Sequence, residues 1–120
     1  MGTSRFLKEK RRDIRAIAVE PDGPFHGLEG LKHMETAMVP PIYDQSAVDE
    51  TFRVSTEDAE AEVRTLAREE GLFVGWSTGA AVLAARRVLK RDGGVVVAIA
   101  PDGGQRYLSE IGRLLRETQD

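Results

Sequence analysis

Gly75-Trp76-Ser77-Thr78-Gly79-Ala80-Ala81 is the segment that says most about the fold of this chain. Two glycines flank two hydroxyl residues, and a largely apolar stretch then continues to about Lys90. This pattern predicts a tight turn into a buried helix from about Gly79 to Lys90, with hydroxyl and free N–H groups at its N-terminus. Two interpretations follow. Either Ser77 or Thr78 is a plain N-cap, or the turn presents these groups to a ligand.

Two apolar runs on either side of this helical region predict strands. Val95–Ala100 is the clearer one, and Ile14–Val19 is the other. Such uninterrupted runs are typical of parallel strands that are buried on both faces. The order of helix, strand, long loop, helix, helix, strand and helix predicts an α/β fold, a three-layer sandwich with a parallel sheet. Both strands need neighbours on each side, so the sheet is expected to be incomplete.

The remaining elements follow from local signals. Ser55 is a strong N-cap for an amphipathic helix that Gly71 terminates. A short helix is predicted for Ser4–Arg12 and a short strand for Phe52–Val54. A last helix would place Leu108, Ile111, Leu114 and Leu115 on one face.

Residues 21–51 form a long segment without periodicity, rich in glycine and proline. Loops of this length inside a compact domain are usually functional or disordered. This one is too apolar for a flexible linker, so we expect an ordered loop that lines a site. Its two histidines, His26 and His33, have no ligand spacing for a metal, and we predict no metal site. Asp102 and Arg106, near the other end of the chain, are interpreted as parts of a structural turn.

Composition excludes several classes of function. The 120 residues carry a net charge of −3 with interspersed signs, which argues against nucleic acid and anionic membranes as partners. There are no cysteines, so disulfides and thiolate catalysis are excluded. No apolar run is long enough for a membrane span, and there is no signal-peptide pattern, which leads us to expect a cytoplasmic protein.

Four segments together resemble the cysteine synthase (O-acetylserine sulfhydrylase) family of pyridoxal-phosphate enzymes. They are Gly2–Glu9, Ala18–Pro21, Glu70–Ala81 and Val95–Ser109, in the order of that family. Gly2–Glu9 is most similar to the B-type enzymes. The resemblance implies fold type II, in the tryptophan synthase β-like group, and it implies that residues 1–120 are the C-terminal segment of that fold.

The resemblance also implies which residues contact the cofactor. Ser77 would hydrogen-bond the pyridine nitrogen of pyridoxal 5'-phosphate, with Thr78 beside it. Gly30, in the segment Gly27-Leu28-Glu29-Gly30, would belong to a loop next to the cofactor. Full-length members of the family are expected to be homodimers.

The parts of the family pattern that are absent matter equally. None of the lysines, Lys8, Lys10, Lys32 and Lys90, stands in the context of the Schiff-base lysine, and the phosphate-binding glycine loop is also missing. We therefore assign no catalytic residue. We expect the chain to be inactive alone and to bind pyridoxal phosphate weakly or not at all.

Three functional hypotheses remain open. The first is a fragment of a cysteine-synthase-like transferase, from a truncated or split gene, whose whole enzyme replaces the β-substituent of an activated serine by sulfide. A separate N-terminal polypeptide would then be its partner. The second is a non-catalytic binding or structural partner of a full-length relative. The third is a small α/β phosphate-binding module that uses the Gly75–Gly79 turn.

Overall fold

The computed structural model describes residues 1–110 and residue 116. Its helices are α1 (Gly2–Lys10), α2 (Thr56–Glu69) and α3 (Trp76–Asp92), and its strands are β1 (Ile17–Pro21) and β2 (Glu50–Val54). Two short 3₁₀ helices cover Gln45–Ala47 and Gly104–Tyr107. The predicted face of Leu108, Ile111, Leu114 and Leu115 falls mostly outside the described residues.

The two strands confirm the predicted α/β class with a parallel sheet. β1 pairs with β2 in parallel, with Ile17 opposite Glu50 and Val19 opposite Phe52. β1 begins three residues after the start of the predicted run and ends two residues after its end, and the short strand predicted near Phe52 is confirmed as β2. Strands this close in the sequence cannot pair in parallel without a crossover, and the long loop after β1 provides it.

The prediction that Val95–Ala100 is a sheet strand is wrong for this chain. Within the described residues the sheet contains only β1 and β2, and residues 95–100 have no strand pairing. Val95 is 94% exposed and Val97 is 86% exposed. A strand needs a neighbour for its backbone N–H and C=O groups. The described chain supplies none for this segment, so its composition alone could not make it a strand.

Helix α2 begins and ends as its sequence predicts. The Ser55 side chain accepts a hydrogen bond from the Asp58 N–H at 3.1 Å. Gly71 follows the last turn with φ +68°, a conformation that favours glycine. Its inner face supplies Ala59 and Val63 to the core, and the other core members are Leu28, Val54, Trp76 and Ala80.

Replacing Ser55 by Ala should destabilise the fold by about 1 kcal/mol, because the N-terminal N–H groups of α2 lose their side-chain acceptor. Ser55→Asp keeps an acceptor and serves as the matched control. The free energy of unfolding, from urea titration followed by circular dichroism, measures both. Equal losses in the two variants would show that the cap is unimportant.

Helix α3 begins at Trp76, three residues before the predicted start. Its N-cap is Gly75, whose C=O accepts a hydrogen bond from the Gly79 N–H at 3.2 Å. The interpretation of Ser77 or Thr78 as the N-cap is therefore wrong. Both residues lie in the first helical turn because the extended backbone of Gly75 already starts the helix.

Glycine at position 79 allows α2 and α3 to pack closely. A Cβ atom there would lie 2.6 Å from the Ala59 carbonyl oxygen and 2.6 Å from Val63 Cγ2. Gly79, Trp76 and Ala80 are all buried, as expected for a helix start that is apolar on nearly every side. This contact holds the N-terminal turn of α3 against α2.

The loop between β1 and β2 is ordered around one buried carboxylate. Glu20, near the end of β1, is only 7% exposed. Its Oε2 accepts from the Met34 N–H at 3.1 Å and its Oε1 from Arg53 Nε at 3.3 Å. Arg53 also pairs with Glu35. A single side chain thus links the strand end, the middle of the loop and β2.

Several large apolar side chains nevertheless remain in contact with solvent. Phe25 is 100% exposed and Met38 is 97% exposed. None of the helices in the described ranges combines the length and apolarity needed to cross a bilayer. Single exposed apolar side chains are common in folded proteins and mark a binding surface only where they form a large contiguous patch.

Candidate functional site

Ser77 lines a cavity at the N-terminal end of α3. The cavity has a volume of about 430 Å³, and the residues around it are Glu29, Gly30, Leu31, Ser77, Pro101, Asp102, Arg106 and Tyr107. Three separate parts of the chain form it: the long loop, the first turn of α3 and the turn that follows residue 100. Ser77 is half-buried, so its hydroxyl can meet a ligand.

The long loop brings Gly30 to the same cavity. Gly30 has φ +85° and no atom within 4 Å of the place where a Cβ would stand. The backbone conformation at position 30 favours glycine, whereas crowding by neighbouring atoms plays no part. Upstream, the Gly27 N–H donates to Thr56 Oγ1 at 3.0 Å, which ties the loop to the start of α2. The structure therefore places Ser77 and Gly30, two of the three predicted cofactor contacts, around one cavity.

Asp102 connects the far wall of the cavity to the start of α3. Its backbone C=O accepts from the Gly75 N–H at 3.3 Å, and its Oδ2 accepts from the Tyr107 hydroxyl at 2.8 Å. A Cβ at position 75 would collide with this carboxylate and come within 2.9 Å of Tyr107 Cε2. Gly75 is therefore needed for close approach. Asp102 Oδ1 is buried without a hydrogen-bond partner in the described structure.

Sequence reasoning underestimated Asp102 and missed Tyr107. Asp102 does belong to a turn, but it also forms part of the cavity wall with Tyr107 and Arg106. The available signal was a carboxylate and a phenol five residues apart around a Gly-Gly turn, directly after an apolar run. That signal is weak, because only the folded chain brings the turn against Gly75.

Thr78 lies elsewhere. Its side chain is 2% exposed, it is not among the residues that line the Ser77 cavity, and its Oγ1 has no partner in the described structure. Its cofactor contact stays a prediction.

The histidines have local structural contacts. His26 Nδ1 accepts from the Leu28 N–H at 3.2 Å, and His33 Nδ1 lies 3.0 Å from Thr36 Oγ1. Across residues 1–110 and 116, no group of three or more histidine or acidic side chains could hold a metal ion.

The hydrogen bond to Asp102, together with burial and the nearby negative charge, raises the pKa of Tyr107 above its usual value. A tyrosine whose pKa is higher in the folded protein than in the unfolded chain, where it is about 10, stabilises the fold at pH values below about 10. This stabilisation is lost as the pH rises through the folded-state pKa. The difference in absorbance at 295 nm between the wild type and Tyr107→Phe should therefore have its midpoint above pH ~10. A midpoint at or below this value would contradict the hydrogen bond.

Comparisons with known proteins identify the family of this chain. Residues 1–102 match the family model described as pyridoxal-phosphate dependent enzyme. The chain is 46% identical over 114 residues to a cysteine synthase of Aquifex aeolicus, covering 91% of this chain and 35% of that protein. It is 39% identical over 109 residues to cysteine synthase B of Escherichia coli, covering 90% of this chain and 36% of the relative.

A solved structure shows the same relation in three dimensions. The cysteine synthase of Entamoeba histolytica superposes with a TM-score of 0.83 at 30% identity, over 96% of this chain and 41% of that one. The chain thus spans about a third of the length of the sequence relatives given above. The resemblance to cysteine synthases and the fold type II assignment are both confirmed. The chain belongs to the pyridoxal-phosphate dependent enzyme family.

Proposed function

We propose that this chain is the part of a cysteine-synthase-like enzyme that binds the ring of the cofactor, and that it is inactive alone. The complete enzyme would replace the β-substituent of an activated serine by sulfide. The observation that carries this proposal is the Ser77 hydroxyl in the first turn of α3, lining one cavity with Gly30. Relatives with cysteine synthase names, matched over about 90% of this chain, support the same reaction.

The residues present fit one end of pyridoxal phosphate. When bound, that cofactor supplies an electron-withdrawing pyridine ring. Ser77 would hold the ring nitrogen by a neutral hydrogen bond, and Gly30 would leave space for the ring. A hydroxyl differs from a carboxylate here because it does not keep the ring nitrogen protonated, which suits β-replacement. No lysine is among the described residues that line the cavity, so the remaining contacts must come from elsewhere.

The alternative of a free-standing phosphate-binding module is less well supported. The N-terminal turn of α3 could offer N–H groups to an anion. The residues that line the cavity, however, include two acidic residues, Glu29 and Asp102, and one basic residue, Arg106. This balance disfavours a phosphate dianion. A non-catalytic structural partner is favoured only by the exposed apolar surface, which a fragment of an enzyme explains equally well.

A cytoplasmic location and a homodimeric complete enzyme belong to the same proposal. The location rests on the cysteine-free composition. The homodimer rests on the similarity to cysteine synthases.

Ser77→Ala tests the proposal in a reconstituted enzyme. The chain would be combined with the N-terminal two thirds of the Aquifex aeolicus cysteine synthase, and sulfide-dependent cysteine formation measured with pyridoxal phosphate present. We expect activity to fall by at least about tenfold while the free energy of unfolding changes by less than about 1 kcal/mol, because the lost hydrogen bond is to the cofactor.

Two controls sharpen this experiment. Ser77→Thr retains a hydroxyl and should recover part of the activity, whereas Ser46→Ala removes an exposed hydroxyl outside the cavity and should leave activity unchanged. Parallel losses of activity and stability in Ser77→Ala would assign Ser77 a purely structural role.

A further inference from the structure

Gly30 and Leu31 form a wall between two cavities. Both residues line the cavity that contains Ser77, and both also line a second cavity of about 520 Å³, whose lining includes Glu20 and Arg53. A cavity offers few atoms on which its lining can pack. Hydrogen bonds that attach the chain on either side of this Gly30–Leu31 wall are therefore important for its position.

The wall lies between two points at which the long loop is attached to the rest of the fold. Before it, the Gly27 N–H donates a hydrogen bond to Thr56 Oγ1 at 3.0 Å, at the start of α2. After it, the Met34 N–H donates to Glu20 Oε2 at 3.1 Å, near the end of β1. The position of the wall relative to Ser77 thus depends on one hydroxyl and one carboxylate.

Glu20 is a rigid point of attachment. Pro21 follows it, and the residue before a proline is restricted to an extended backbone. The Pro21 side chain is fully buried, which fixes the end of the strand. Glu20 stands opposite Arg53 in the parallel register of β1 and β2, and Arg53 Nε donates to Glu20 Oε1 at 3.3 Å. One carboxylate oxygen is therefore bonded to β2 and the other to the loop.

Burial makes the attachment of the loop to Glu20 stronger than a hydrogen bond at the surface. The Glu20 side chain is buried, and hydrogen bonds are electrostatically stronger in such surroundings. A hydrogen bond to an ionised carboxylate is also roughly twice as strong as one between neutral groups. Since a buried carboxylate without partners is costly, loop conformations that keep the Met34 N–H on Glu20 are favoured over those that release it.

We propose that Glu20 is a positioning residue for the site at Ser77: its carboxylate holds the Gly30–Leu31 wall in place and so raises the affinity of the cavity for its ligand. Glu20 does not line that cavity, so it acts through the wall and not by contact. The identity of the ligand, the ring of pyridoxal phosphate, rests on the proposed function. A wall that is in place only part of the time lowers the apparent affinity by the fraction in place, and saturating ligand restores it.

The first test is amide hydrogen exchange, measured by NMR on the full 120-residue chain without cofactor. In Glu20→Ala the protection factors of the Leu31 and Met34 amides should fall at least about tenfold, while those of α3 change by less than about twofold. Glu20→Gln keeps an uncharged acceptor and should lose less protection. Glu35→Gln is the matched control, because it removes an exposed carboxylate that also pairs with Arg53. It should change protection by less than about twofold.

The second test measures the affinity for pyridoxal phosphate in the reconstituted enzyme described above, by absorbance titration. In Glu20→Ala the dissociation constant should rise at least about fivefold, and by a larger factor than turnover at saturating cofactor falls. Glu35→Gln should leave the dissociation constant within about twofold of the wild type. A residue that touched the reacting atoms would instead lower turnover at saturation by at least as much as it lowers affinity.

Unchanged protection of the Leu31 and Met34 amides in Glu20→Ala would overturn the proposal. An equal loss of protection in α2 and α3 would also overturn it, because Glu20 would then support the fold as a whole. If Glu20→Ala fails to fold, Glu20→Gln and Glu35→Gln are compared, and equal protection in the two would overturn the proposal. A local loss of protection with an unchanged dissociation constant would support Glu20 as the residue that holds the wall and count against the proposed function.

Discussion

Incubated alone with pyridoxal phosphate and reduced with borohydride, the 120-residue chain should carry no stoichiometric adduct on a single lysine and should form no cysteine from sulfide. Borohydride makes a Schiff base permanent, so mass spectrometry would detect a lysine that fulfils the family role. The lysines of the chain are Lys8, Lys10, Lys32 and Lys90. None of them lines the cavity that contains Ser77.

The expected effect is large because several contributions are missing together. General acid–base catalysis by a positioned side chain is worth roughly 10²- to 10⁴-fold in rate. Under the proposed function, the contact that the chain would retain to the cofactor is the Ser77 hydroxyl, whose neutral hydrogen bond would contribute about 0.5–1.5 kcal/mol net. That is less than the several kcal/mol lost when a ligand is immobilised.

A positive control for this experiment is the reconstituted enzyme, in which the partner supplies a lysine. There the adduct should form on the partner polypeptide. A stoichiometric adduct on one lysine of the isolated chain, accompanied by sulfide-dependent cysteine formation, would refute the prediction and the assignment of the chain as an incomplete enzyme.

Gly79→Ala should cause the largest loss of stability of any single methyl addition proposed for this chain. The new Cβ would lie 2.6 Å from both the Ala59 carbonyl oxygen and Val63 Cγ2. The carbonyl belongs to the backbone of α2, so the helices must separate, at a cost of about 1–3 kcal/mol. Alanine's better helix propensity offsets only about 0.5–1 kcal/mol of this.

We expect a net decrease in the free energy of unfolding of about 1–2 kcal/mol, measured by urea titration. Gly23→Ala is the matched control, because a Cβ there has no atom within 4 Å and the backbone φ is not positive. Its effect should stay within about 0.5 kcal/mol. If Gly79→Ala were as stable as the control, the close packing of α2 on α3 would be incorrect.

Local signals in the sequence were sufficient for the elements whose ends depend on adjacent residues. Ser55 and Gly71 delimit α2 because a cap and a left-handed turn are formed by neighbouring backbone groups. The apolar run before Glu20 likewise predicted β1. The combination of four short segments, each weak alone, was sufficient to indicate the family.

The same kind of reasoning failed where the structure of a segment depends on residues that are distant in the sequence. The composition of Val95–Ala100 suits a buried strand, yet within the described chain it has no strand partner. The start of α3 was placed too late because the capping residue is Gly75, which has no side chain to signal a cap.

The sequence by itself determined that this chain is α/β and that it resembles part of a pyridoxal-phosphate enzyme, and the cofactor contact of Ser77 is a prediction that this resemblance implies. These depend on composition, periodicity and short motifs. Only the tertiary structure decided that Ser77, Gly30 and Asp102 surround one cavity, and that β1 pairs with β2 on one edge only within the described residues. Both depend on contacts between segments far apart in the chain, which local sequence patterns do not encode.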